Sequence, residues 1–200
     1  MATKYGGYMG KVMLIDLTTE SVSEYPWTDE QRELYLGGKI MAARILCDHL
    51  TGKETAFSEE NWVVISTGPL TGTGAPSSAR FNISALSPQT GILASSNCGG
   101  SFGFHLKKAG YDALILKGKC QGHKWLEINE EQFAFHDAGD LWGTKVSECQ
   151  EKLAQLTDAV QNVVVYVTCL IDGEEITTRQ IVKVEKHLAG SSRAIRRATT

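Results

Sequence analysis

Apolar and polar positions alternate through residues 11–17 (KVMLIDL), which predicts a strand. Thr18-Thr19-Glu20 breaks the alternation and residues 21–25 (SVSEY) resume it, so the chain is predicted to open on a hairpin. Past Pro26 the period lengthens. Thr28 is placed to cap a helix through DEQRELYL, which Gly37-Gly38 ends, and Ile40, Met41, Ala43, Ile45, Leu46 and Leu50 then recur at helical spacing on a core-facing second helix. Further strands are predicted at 61–67, 79–87, 91–96, 112–118, 124–129 and 132–137, each bounded by Gly, Pro or Asn. A short helix fits residues 101–109. Another fits TKVSECQEKLAQL, where Val146, Cys149, Leu153 and Leu156 share a face behind a Thr144 cap. VQNVVVYVTCLID (160–172) and EEITTRQIVKVE (174–185) read as a closing hairpin about Asp172-Gly173, and the arginine-rich GSSRAIRRATT as a frayed end. Strands in quick succession with few helices favour an α+β fold over a regular βαβ alternation.

Composition narrows the function more than the fold. With 200 residues, 42% hydrophobic and 22% charged, the chain is long enough for a real core and short enough for one domain. A formal net charge of -3 provides no basic field for a nucleic-acid backbone or an anionic bilayer. No apolar run approaches the roughly 20 residues of a membrane span, and MATKYGGYMGKV lacks a secretory pattern, so a cytoplasmic location is expected. Five cysteines with no CxxC pair argue against a disulfide framework and against a zinc or iron-sulfur site made by this chain alone.

Two loops carry more glycine, proline and hydroxyl than a connection requires. STGPLTGTGAPSSARFN (66–82) delivers Arg80 at the start of a strand, where its planar fork suits phosphate oxygens; pairing with a neighbouring acid is the plainer alternative. SSNCGGSFGFHL (95–106) sets Asn97, Cys98, Gly99 and Gly100 ahead of a helix, so backbone N-H groups and the positive helix end are expected to form an anion cradle, with Gly99, Gly100 and Gly103 keeping it clear of side chains. A tight turn would call for the same glycines. His105 lies beside this loop, and Asp112 is placed either as a plain loop residue or to orient a neighbouring donor. There is no GxGxxG, P-loop or HExxH, so no self-contained catalytic centre is expected.

Taken together, GYMGKVMLIDLTTESV, LGGK, GPLTGTGAP, SSARFN, SPQTG, SNCGGSFGFHLKKAGYDALILKGK and LWG resemble, in order and spacing from about Tyr8 to about Leu156, the N-terminal domain of the tungsten- or molybdenum-pterin aldehyde:ferredoxin oxidoreductases. The resemblance implies a domain of two β-sheets over residues 1–157, with 158–200 a divergent remainder of it. It implies a saddle under a bis-pterin cofactor (tungstopterin or molybdopterin) whose phosphates are bridged by magnesium. By motif position Arg80 would contact phosphate, the Asn97 main-chain carbonyl would ligate magnesium, and Gly99 would touch the cofactor. The parent reaction would oxidise an aldehyde to a carboxylic acid and pass electrons to ferredoxin through a [4Fe-4S] cluster in domains this chain lacks. Family members are several-fold longer, which leaves a truncated chain, a split-gene subunit completed by a partner, or a reading-frame disruption. A non-catalytic cofactor carrier or an empty remnant are the rival readings, and a homo-oligomer stays open.

Overall fold

A computed structural model describes residues 3–128, 132–156, 163–167 and 182–184. The chain runs β1 (Val12–Asp16), β2 (Ser21–Glu24), α1 (Asp29–Tyr35), α2 (Gly38–His49), β3 (Val63–Thr67), β4 (Phe81–Leu86), β5 (Leu93–Cys98), α3 (Phe102–Lys108), β6 (Ala113–Lys117), β7 (Lys124–Ile128), β8 (Phe133–Asp137), a single 3-10 turn (Gly139–Leu141), α4 (Val146–Leu156), β9 (Val163–Val167) and β10 (Val182–Val184). The strands make two sheets, one of six in the order β2-β1-β6-β3-β4-β5 and one of four in the order β10-β9-β7-β8. Only the β1–β6 pair is parallel among these ladders. The α+β class is therefore the one the residue pattern predicts, and the two sheets are those the family resemblance implies.

Why the layers stack as they do follows from β6. Its sequence ALILK is apolar on both sides, so Ala113 and Ile115 pack with Met41, Ala42, Ile45 and Leu46 of α2, while Leu114 and Leu116 pack with Phe102 and Leu106 of α3 and Leu126 and Ile128 of β7. The first sheet thus carries α2 on one face and α3 with the second sheet on the other. The far face of the second sheet holds Trp125, which joins Ala138, Leu141, Cys149 and Leu153 beneath α4.

Local signals held in detail. Thr28 accepts the Gln31 N-H at 3.2 Å while the Gln31 side chain accepts the Thr28 N-H at 2.9 Å, a reciprocal cap that starts α1. Departures have physical causes. Ile40 was expected on the buried face of α2 but is 52% exposed, since the buried face is set by Met41, Ala42, Ile45 and Leu46, and Leu156 at the end of α4 is 64% exposed. β5 runs through Asn97 and Cys98, which pair with Asn82 and Phe81, because a polar strand on a sheet edge reads in sequence like a loop. β9 and β10 pair as an antiparallel ladder, Val163 opposite Val184. Asp172-Gly173 and the GSSRAIRRATT tail lie outside the described residues.

Candidate functional site

The loop from Gly68 to Arg80 is built by its own hydroxyls. Thr71 Oγ1 donates to the Arg80 carbonyl (3.1 Å) and accepts the Gly68 N-H (3.3 Å), so one buried threonine ties the two ends of the loop together. Thr73 Oγ1 donates to the Leu70 carbonyl and Ser78 Oγ to the Ala75 carbonyl, both at 2.7 Å. These bonds satisfy backbone groups that a non-repetitive segment leaves open, and they hold the loop in shape.

The loop arches over a cleft of about 380 Å³ whose lining includes Gly38, Gly68, Leu70, Arg80, Asn82 and Asn97. Arg80 is the one charged side chain in that lining. It is exposed, and among the described residues it makes no ion pair, so the acid partner that sequence left open is not seen. β4 and β5 bring the two loops together: one step beyond the registered pair Phe81↔Cys98 stand Arg80 and Gly99.

Asn82 sets the far wall. Buried to 1% exposure, its amide donates to Ser95 Oγ (2.6 Å), the Ser96 carbonyl (3.2 Å) and Asn97 Oδ1 (3.0 Å), while its oxygen accepts from Ser84 Oγ (2.7 Å). The edge strand is thereby held at the residue that faces the cleft. In sequence, the mark of Asn82 is a lone polar residue between Phe81 and Ile83, which by itself points to no role.

The predicted cradle is redrawn. Asn97 and Cys98 belong to the β5 ladder, leaving Gly99 and Gly100 as the turn before α3, a helix of seven residues whose Ser101 cap makes no side-chain hydrogen bond. A Cβ on Gly99 or Gly100 would meet no atom within 4 Å, and Gly100 needs glycine for its φ of 95°. Gly103 was expected to keep the cradle open and instead permits close packing: a Cβ there would lie 3.2 Å from Thr71 Cγ2 and 3.3 Å from the Ala79 carbonyl oxygen. Burial pushes the Cys98 thiol above its ordinary pKa, with Arg80 opposing, and its S-H donates to the Gly99 carbonyl at 3.0 Å. His105 is buried in α3 with its ring edge-on to Phe104 and is not part of the cleft lining. Asp112 does orient neighbouring donors, accepting the Met9 and Gly10 N-H groups and the Lys107 ammonium. Among the described residues no three His, Cys, Asp or Glu side chains gather as metal ligands, so a cation here would depend on carbonyl and ligand oxygens.

A family model described as "Aldehyde ferredoxin oxidoreductase, N-terminal domain" matches residues 12–190. The chain belongs to the aldehyde ferredoxin oxidoreductase family. It is 38% identical over 149 residues to a tungsten-containing aldehyde ferredoxin oxidoreductase of Pyrococcus abyssi, covering 74% of this chain and 24% of that protein. The same-named enzyme of Pyrococcus furiosus is 32% identical over 186 residues, 88% of this chain and 31% of that protein. Among solved structures, the active site complex BamBC of benzoyl coenzyme A reductase, in complex with 1,5-dienoyl-CoA, is similar with a TM-score of 0.77 and 34% identity over 80% of this chain and 25% of that one. This aldehyde ferredoxin oxidoreductase domain therefore spans about a quarter to a third of the length of the relatives it matches. The family match continues past α4 through β9 and β10.

Proposed function

We propose that this domain holds the phosphate and magnesium end of a tungsten bis-pterin cofactor for an oxidoreductase completed by further domains or a partner subunit. One observation supports it above the others: a guanidinium with no ion pair among the described residues and the Asn97 edge of β5 converge on one cleft whose lining holds no carboxylate. A multiply charged anion brought there would find a countercharge and no repulsion. Gly99 adds to the fit, because the fold gives no steric reason for glycine there, whereas close approach of a ligand to backbone does.

In this reading Arg80 binds the phosphates and the Asn97 main-chain carbonyl ligates magnesium. Cys98, Gly99 and Gly100 present backbone to the cofactor. The bound group supplies the oxygen- and electron-transfer chemistry, with oxidation of an aldehyde to a carboxylic acid and ferredoxin as acceptor. The chain's own residues bind, orient and offset charge. Residues 158–200 belong to the same domain in this proposal, supported by the pairing of β9 with β7. No helix among the described residues is long and apolar enough to cross a membrane.

Arg80→Ala is expected to lower the tungsten-to-protein ratio of chain purified with its genomic neighbours by about tenfold, as loss of a charge-assisted phosphate contact implies. An unchanged ratio would rule against Arg80. A cofactor-loaded chain that turns over with none of those neighbours would mark a carrier instead of an enzyme domain.

A further inference from the structure

We propose that the buried Lys107–Asp112 ion pair is a positioning device for the cleft: it holds the Gly68–Thr71 wall in place from behind, and neither residue faces the ligand. For what the cleft binds, this rests on the reading under Proposed function. Lys107 and Asp112 are buried and absent from the cleft lining. The Lys107 ammonium donates to Asp112 Oδ1 (2.5 Å) and to the Gly7 carbonyl (2.7 Å), and the Asp112 carboxylate accepts the N-H groups of Met9 (2.9 Å) and Gly10 (2.8 Å). The N-terminal arm 7–10 is thus held at Gly7, Met9 and Gly10 by this pair, with Arg32 donating as well to the Gly10 carbonyl (3.1 Å).

That arm and that lysine then press on the wall. A Cβ on Gly7 would fall 2.5 Å from the Pro69 carbonyl oxygen, so arm and wall are in tight contact, and a Cβ on Gly72 would fall 2.9 Å from Lys107 Cβ. The Asp112 carbonyl accepts both the N-H (3.0 Å) and the hydroxyl (2.8 Å) of Thr67, the residue that leads into the wall. Thr67 is thus bonded to the Asp112 main chain, Pro69 abuts the arm that the pair holds, and Gly72 abuts the Lys107 side chain itself. Burial lowers the Lys107 pKa and the Asp112 carboxylate opposes that fall. A buried ion pair adds little net stability over a well-packed apolar one, but it tolerates few placements of its partners, which suits a role in geometry.

The test uses the full 200-residue chain and inorganic pyrophosphate with magnesium as probe, titrated calorimetrically, with amide exchange at Gly68, Leu70 and Thr71 read in parallel. Lys107→Met is expected to weaken pyrophosphate roughly tenfold and to speed that exchange, as slack in a supporting shell does. Leu153→Ala, in the separate cluster under α4, is the control, and at a comparable drop in melting temperature it should do neither. Wild-type affinity and exchange in folded Lys107→Met, or equal losses in Leu153→Ala, overturn the proposal. Should Lys107→Met not fold, Asp112→Asn decides by the same two readouts, since it removes the charge of the carboxylate and keeps the main-chain carbonyl that Thr67 uses. If the wild-type chain binds no pyrophosphate, the cleft reading fails on its own. Exchange then still judges the positioning role: faster exchange supports it and unchanged exchange overturns it.

Discussion

Strands β6 and β5 lie in one sheet and are opposites in exposure. β6 is buried on both faces through Leu116, while β5 is the sheet's edge and its Ala94, Ser95 and Asn97 are exposed. β6 joins β1 to β3 and carries both cores, so its residues are chosen for volume and shape. β5 is uncharged and polar, kept in place by Asn82, and turns one of its residues toward the cleft. Burial is concentrated in the centre of the sheet, and the cleft lies where the sheet runs out.

Substitutions can break that division. The largest effect is expected from Leu114→Ala in β6, a fully buried side chain, which should cost about 2–5 kcal/mol in urea unfolding. A cost under about 1 kcal/mol would show that the two cores do not depend on this strand. Asn82→Leu is expected to cost about 1–3 kcal/mol, because Ser84 Oγ is left buried without the acceptor it has now. It should also speed amide exchange at Ser96 and Asn97. Unchanged exchange there would mean that the Asn82 amide does not hold the edge. The smallest stability effect, within about 0.5 kcal/mol, is expected for Gly99→Ala, whose new methyl meets nothing. That variant should nevertheless retain less tungsten than wild type. Full retention would separate Gly99 from the site.

The same division governs what could be read from residues alone. β6, α2 and the Thr28 cap were legible because burial on a fixed period and reciprocal capping leave marks in composition. β5 was misread at its end because Asn97-Cys98 has the polarity of a turn, and only the ladder with Asn82 and Phe81 makes it strand. Gly99 and Gly103 are indistinguishable as letters; one has open space and the other carries the contact of α3 with Thr71 and Ala79. Lys107 and Lys108 are adjacent in sequence, and which one is buried depends on Asp112 and Gly7 arriving from elsewhere in the chain. Arg80 and Asn97, which the family resemblance and anion chemistry both single out, line one cleft.

The parallel register of β1 with β6 sets Val12 beside Ala113. A ribosome making this chain must therefore release the first strand long before its central neighbour exists, and closing so long a loop is a slow, late event in folding. Until then the apolar side chains of β1 lack the neighbour that completes their cover.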